Sequence, residues 1–194
     1  MKKIKHKKSK FVEQIEDAGS LRLDLGTGNG RNKPAGFIGM DSIKGGQVEQ
    51  VVDLREPWPW EDDSVDELHA NYLLPFFTPD ERRHIVHEAY RVLKWGSKAI
   101  LITPHWSSCK AYGDPATYWP PISEAWYARL NKVWREAQSY EDPNGYTCDF
   151  DHVCGYNLHP GIAVKNLEYQ QHAVAFFKEA TQDLIAHLIK VKRS

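Results

Sequence analysis

From Leu21 the chain alternates apolar and polar side chains, Leu21-Arg22-Leu23-Asp24-Leu25, and the alternation stops at a cluster of glycines. A period of two predicts a strand with one buried face. Phe37 to Asp41 and Val48 to Leu54 repeat the pattern on a shorter scale, with Asp41 and Asp53 near their ends, and Val65 to Ala70 supplies a fourth strand. Between Pro79 and Leu93 the period changes. Ile85, Val86, Ala89, Val92 and Leu93 share one helical face. Thr78 stands at the cap, Glu81 follows three residues on and Pro79 fills the first turn, which predicts a capping box on a helix stopped by Gly96. Lys98 to Thr103 then reads as a fifth, buried strand ended by Pro104. Upstream, a cap at Ser9 and apolar positions at Phe11, Val12, Ile15 and Ala18 predict a short helix ending at Gly19.

Strands that alternate with helices or crossovers, with acids and glycines at their ends, predict an α/β, Rossmann-like fold. The expectation is a mostly parallel sheet of about seven strands with an antiparallel edge strand and helices on both faces. From His105 to about residue 145 the periodicity fades and aromatic residues crowd in, an excursion with a helix expected over 123–138. A sixth strand is expected over 146–156, a helix over 167–180 and a final edge strand over 184–191. No repeat or composition break divides residues 11–194, so they read as a single domain behind a basic tail at 1–10.

At 194 residues, 41% hydrophobic and 26% charged, the composition is that of a globular domain large enough for its own core. No apolar run approaches the roughly 18 residues of a membrane span and no apolar stretch follows the basic start; the cytoplasm is expected, with no membrane partner. Cys109, Cys148 and Cys154 are too few and too widely spaced for a disulfide framework, and Cys148-His152-Cys154 suits period-two strand placement better than a metal site, so no metal is expected. Six of the first ten residues are lysine; removing them leaves 19 basic against 26 acidic residues, a body of net charge −7. Such a tail either holds a polyanion, nucleic acid included, or is simply a solvated terminus.

The most informative segment is Asp24-Leu25-Gly26-Thr27-Gly28-Asn29-Gly30. Its glycines let the backbone turn tightly and approach a ligand. A dinucleotide fingerprint spaces its glycines G-x-G-x-x-G and continues into a full helix; here only six residues separate Gly30 from Phe37. That disfavours a nicotinamide or flavin enzyme. In open parallel sheets ligands bind beyond the carboxyl ends of the strands, where these residues fall.

Taken together, L-D-L-G-T-G-N-G, G-F-I-G-M-D, V-V-D-L, W-E-D-D-S-V-D-E-L and E-A-Y-R-V-L-K-W-G resemble class I S-adenosylmethionine-dependent methyltransferases. The resemblance is nearest to a small bacterial and phage-type group with a shortened first helix, and it covers Leu21 to about Pro115. It implies the Rossmann-like methyltransferase fold, S-adenosylmethionine as cofactor and S-adenosylhomocysteine as product. It implies that Gly26 and Gly28 pass beside the methionine part, that Asp41 accepts from the ribose hydroxyls, that Asp53 and Leu54 mark the adenine pocket, and that Asn71 and Tyr72 face the reacting end. The residues themselves leave alternatives open. Asp41 is either a ribose ligand or a turn cap, Asp53 either an adenine marker or an Asx-turn, and Asp24 either a partner of the cofactor's ammonium or of neighbouring backbone. Asp66 suits shaping the strand entry.

The chain departs from the pattern of such enzymes at three places, which weakens any transfer of substrate or catalytic role. Asn71-Tyr72-Leu73-Leu74-Pro75 replaces a His or Glu-His, Trp95-Gly96-Ser97 replaces Pro-Gly-Gly, and Asp114-Pro115-Ala116-Thr117 replaces Asp-Pro-Thr-His. No Asn/Asp-Pro-Pro-aromatic motif follows the fourth strand, which counts against methylation of a base amine. The acceptor is unidentified, a small molecule being favoured, and no oligomeric state follows from the pattern. Candidate catalytic residues are His105, a base near neutral pH or a loop-bonding histidine, then Asp114 and Tyr72; His69 reads as structural. The excursion's aromatics either lid the acceptor pocket and stack on a flat substrate or pack a subdomain core or an oligomer interface. Two rival readings remain: a non-catalytic binding or regulatory protein that keeps the fold, and a nucleic-acid-associated protein using the lysine tail.

Overall fold

The structure is a computed structural model that describes residues 19–30, 32–138 and 145–192. The helix expected over 11–18 and the lysine tail lie outside the described residues. Seven strands, β1 (Arg22–Leu25), β2 (Ile38–Asp41), β3 (Gln50–Val51), β4 (Val65–Asn71), β5 (Leu93–Pro104), β6 (Phe150–Leu158) and β7 (Thr181–Lys190), form one sheet in the order β3-β2-β1-β4-β5-β7-β6. The five strands from β3 to β5 run parallel. β7 pairs antiparallel with β5 and with the edge strand β6. Strand order reverses beside β1, between β2 and β4, so the crevice of an open α/β sheet falls at their carboxyl ends.

The apolar halves of the strands account for the core. Leu23, Leu25, Met40, Leu68 and Ala70 are buried. Against the sheet lies α1 (Pro79–Val92), burying Ile85, Val86, Ala89 and Val92. Its start is the capping box read from the sequence: Thr78 Oγ1 accepts from the Glu81 N–H at 3.3 Å and Glu81 Oε2 accepts from the Thr78 N–H at 2.8 Å. Shorter helices flank the second half: α2 (Glu124–Ala128), α3 (Lys132–Ala137), α4 (Pro160–Ala163) and α5 (Leu167–Phe176). Between β1 and β4 the described connections are turns with no helix. Among the described residues no helix is long and apolar enough to cross a membrane.

Several boundaries differ from expectation. α1 does not run to Gly96: Leu93 is already extended, at φ −62° and ψ 139°, and begins β5, which pairs from Leu93 opposite Val65. β3 shrinks to two residues, so Asp53 opens a turn rather than ending a strand. The helix expected over 123–138 is two, because the Asn131 side chain accepts from the Trp134 N–H at 2.9 Å and starts a new one. β6 begins at Phe150 rather than at 146, and the helix over 167–180 stops at Phe176, where Phe177 turns extended and Glu179 adopts φ 63°. The last strand alternates as expected but lies one position inside the edge, which β6 occupies.

Candidate active site

β1 ends on a buried carboxylate. Asp24 Oδ2 accepts from the Thr27 hydroxyl at 2.8 Å, and Oδ1 lies 2.6 Å from His69 Nδ1 on the neighbouring β4. Asp24 and His69 are both buried, so this carboxylate is matched by protein groups. The protein partners of the Asp24 carboxylate are thus the Thr27 and His69 side chains rather than the neighbouring backbone. Thr27 also donates its N–H to Met40 O at 3.0 Å, tying the glycine turn to β2.

The turn itself runs through Gly26 at φ 67° and Gly28 at φ 55°. A Cβ on Gly26 would meet Leu73 Cδ1 at 2.4 Å, whereas one on Gly28 would meet nothing nearer than Gly26 O at 3.9 Å. The first glycine is required by close packing; the second leaves space over the backbone. Asp41, at the end of β2, closes the turn: Oδ2 accepts from the Gly28 N–H at 2.9 Å and Oδ1 from the Ile43 N–H at 3.0 Å. A carboxylate has about four acceptor positions, so Asp41 retains capacity for two more donors. Its turn-capping and ligand-binding readings are therefore compatible.

Asp53 is exposed and forms the Asx-turn weighed for it, accepting from the Arg55 N–H at 3.0 Å and the Arg55 guanidinium at 3.3 Å. The neighbouring Leu54 is buried. At the end of β4, Asn71 Oδ1 is a buried acceptor with no partner among the described residues. Such an orphan is uncommon and marks a place where a donor is missing. Asp66 sits at the other end of β4, where Oδ2 accepts from the Leu21 N–H at 2.7 Å, shaping the strand entry.

Tyr72 follows Asn71 at φ 56°, a left-handed conformation that costs a non-glycine residue about 1–3 kcal/mol and concentrates at functional sites. Two contacts hold it there. Its N–H donates to Ile102 O at 2.8 Å, and its hydroxyl donates to Asp183 Oδ1 in a short hydrogen bond. Lys110 Nζ lies 3.3 Å from both the Tyr72 oxygen and Asp183 Oδ1, and Asn157 Nδ2 donates to Asp183 Oδ2 at 2.8 Å. Burial and the adjacent Asp183 carboxylate raise the Tyr72 pKa, so the hydroxyl is protonated at neutral pH. Burial disfavours the Lys110 charge, yet hydrogen bonding to Tyr72 and the attraction of Asp183 hold its pKa above the ordinary lysine range. The sequence pattern named Tyr72 but not its partners Asp183 and Lys110. The available signal was an acid, Asp183, directly ahead of the apolar run Leu184-Ile185-Ala186.

His105 is fully buried and both ring nitrogens are engaged. The Ser107 N–H donates to Nδ1 at 3.2 Å, which places the proton on Nε2, facing Glu124 Oε1 at 3.0 Å. Burial works against the Glu124 charge, but hydrogen bonds led by the one from His105 bring its pKa down to about 2. Both ring nitrogens are thus engaged by the loop and by Glu124, with Ser107 Oγ also 2.8 Å from Nδ1, which is the arrangement of the loop-bonding alternative. Asp114 is exposed and stabilises its own turn, accepting from the Ala116 N–H at 2.8 Å.

The excursion's aromatics divide. Tyr127 is fully buried, with Trp126 and Tyr146 packed against the core. Trp106, Tyr112, Tyr118 and Trp119 are exposed. Arg82, which the sequence reading passed over, ties the excursion to the end of β4: Nε donates to Leu74 O at 2.9 Å, Nη1 to Pro120 O at 2.7 Å and Nη2 to Tyr118 O at 2.8 Å. Among the described residues no cluster of three or more His, Cys, Asp or Glu side chains could hold a metal ion.

Comparison with solved structures places this architecture. An S-adenosylmethionine-dependent methyltransferase from Archaeoglobus fulgidus superposes with a TM-score of 0.62 at 16% identity, over 92% of this chain and 94% of that one. The YcgJ protein of Bacillus subtilis gives 0.53 at 15% identity, over 94% and 98%. The 1,6-didemethyltoxoflavin-N1-methyltransferase of Burkholderia thailandensis, solved with its acceptor and S-adenosylhomocysteine bound, gives 0.52 at 14% identity, over 94% and 78%. No protein-family model matches the sequence, and no curated protein does. The fold is that of class I S-adenosylmethionine-dependent methyltransferases.

Proposed function

We propose that the chain is an S-adenosylmethionine-dependent methyltransferase acting on a small-molecule acceptor. The observation that carries this reading is the pairing of the open glycine turn with the Asp41 carboxylate at the reversal point of the sheet. The donor set suits the cofactor. Asp41 has acceptor capacity left for two ribose hydroxyls, and the orphaned Asn71 Oδ1 suits the ammonium of the methionine part. Gly26 and Gly28 supply backbone without side chains, and Leu54, with Asp53 beyond it, borders the adenine. Bound there, S-adenosylmethionine would supply a methyl group activated by its sulfonium and leave S-adenosylhomocysteine.

The chain's own part is alignment and proton handling, with reacting atoms held at about 3–3.5 Å. Tyr72 is the group we assign to the acceptor's proton. As the acceptor O–H or N–H gives its proton to Tyr72 Oη, the tyrosine passes its own proton to Asp183 Oδ1, so no phenolate accumulates. Lys110 and Asn157 steady the carboxylate on either side. Asp114 belongs to the acceptor side by its place after β5.

The connection from Gly26 to Phe37, helix-free among its described residues, supports a place with the small bacterial and phage-type group. The single sheet supports one domain over 11–194, and three free cysteines support the reducing cytoplasm. The lysine tail we read as an accessory contact for polyanions such as nucleic acid.

Calorimetric titration with S-adenosylhomocysteine tests the proposal. The expected result is micromolar binding that weakens about tenfold or more in Asp41→Ala, a difference of about 1.4 kcal/mol. A folded protein that binds no S-adenosylhomocysteine contradicts it, and binding without turnover across a broad acceptor screen favours the non-catalytic alternative.

A further inference from the structure

Beside the acceptor end of the sheet, the excursion carries an open cleft of about 240 Å³ bordered by Ala111, Tyr112, Asp114, Thr117, Tyr118 and Trp119. That is just below the roughly 300–1,000 Å³ of pockets for drug-sized ligands, so its occupant is small. Three of the lining residues are aromatic, and Asp114 is the one charged residue on the lining. The rings are costly to leave in water: Tyr112 is 50% exposed, Tyr118 48% and Trp119 73%. Tyr112 and Trp119 lie with ring centroids 6.2 Å apart and planes inclined by 37°.

The arrangement is held from below. The Tyr112 hydroxyl donates to Trp106 O at 2.8 Å and fixes its ring. The Tyr118 N–H donates to Pro75 O at 2.9 Å while its carbonyl accepts from Arg82, so the cavity rides on the loop that leaves β4. Asp114 Oδ1 accepts from the Ala116 N–H at 2.8 Å, and Oδ2 has no partner among the described residues. The adjacent Lys110 is paired with Asp183.

Ring faces carry negative potential and attract cations, most strongly for tryptophan. A carboxylate at the rim adds a second attraction of the same sign, and no basic side chain on the lining opposes it. We infer that this cavity is a binding site for an organic ammonium group, carried by the acceptor. Rings without a carboxylate would equally suit a neutral flat molecule; the lone anion selects the cation. The assignment to the acceptor rests on the methyltransferase reading, whereas ammonium binding by the cage does not.

Choline and its neutral isostere 3,3-dimethylbutan-1-ol separate charge from shape. Titrated calorimetrically into the full chain, choline is expected to bind at about 1 mM or tighter and the isostere at least about tenfold more weakly. Trp119→Ala, at an exposed position, and Asp114→Asn, which keeps the turn-forming oxygen, are each expected to weaken choline fivefold or more with circular dichroism unchanged. Equal affinity for the two probes, or choline binding unmoved by both substitutions, overturns the inference. S-adenosylhomocysteine is titrated into the same sample. If it binds and choline does not, the cage is wrong and the methyltransferase reading stands. Choline binding without S-adenosylhomocysteine binding upholds the cage and contradicts that reading.

Discussion

Replacing Arg82 by methionine isolates the link between the sheet and the excursion. The guanidinium is 2% exposed and its described contacts are backbone carbonyls rather than a carboxylate, so burial lowers its pKa. Three of its hydrogen bonds are 2.9 Å or shorter, to Leu74, Pro120 and Tyr118, and a fourth reaches Pro75 at 3.4 Å. Hydrogen bonds from a charged donor contribute roughly 1.5–3 kcal/mol each. Against that total stands the cost of burying an uncompensated cation, several kcal/mol, which methionine of similar length relieves. The carbonyls it abandons remain buried, and the net loss expected is about 3 kcal/mol, or roughly 6–12 °C in Tm for a domain of this size. Urea denaturation measures it, with hydrogen exchange at the Tyr118 N–H reporting locally. Arg82→Lys should recover part of the loss, since an ammonium cannot span the carbonyls as a planar fork does. A loss below 1 kcal/mol with unchanged Tyr118 protection would refute the reasoning.

Two further outcomes follow from the same geometry. Glu124 is held at about pH 2 in the fold against an ordinary value of 4.5, so the stability it contributes is present above pH 4.5 and fades as pH falls toward 2. Its side chain is 35% exposed, which reduces the contribution to about 1 kcal/mol, and Glu124→Gln should flatten that acid limb in urea titrations run from pH 6 to pH 2. Gly26→Ala meets both a left-handed backbone and the Leu73 side chain; a loss of about 1–2 kcal/mol is expected with S-adenosylhomocysteine affinity reduced, while Gly19→Ala, which has open space, should lose only the backbone part.

The parallel half of the fold was legible because its strands are half-buried and its main helix starts with a side-chain motif. The capping box at Thr78 and Glu81 needs only local residues. The position of β7 was not legible, for a geometrical reason. Alternation along Thr181–Lys190 reports the two faces of the sheet, whereas neighbours pair through the backbone in the plane, so an edge strand and an interior strand read alike. Leu93 to Ser97 was assigned to a helix end because Leu-Lys-Trp-Gly-Ser has no alternation to mark it as strand. At the site, the glycines stand together in one local motif and Asp41 ends the next strand, 13 positions beyond Gly28, so both are marked by short stretches of sequence. Arg82 was missed because it occupies an apolar helical face with a charge, and its carbonyl partners come from residues up to 38 positions away. Asp183 lies 111 positions from Tyr72, a pairing only the completed sheet creates.

The central claim is that a cofactor sits over the glycine turn and the ends of β1, β2 and β4. Nuclear magnetic resonance of the 15N-labelled chain during titration with S-adenosylhomocysteine addresses it directly. The account predicts the largest amide shifts at Gly26, Gly28, Asp41, Leu54 and Asn71, with Asp151 and Val153 on the far edge strand unmoved. Saturable shifts centred on β6 and α5, or no shifts in a well-dispersed spectrum, would contradict it.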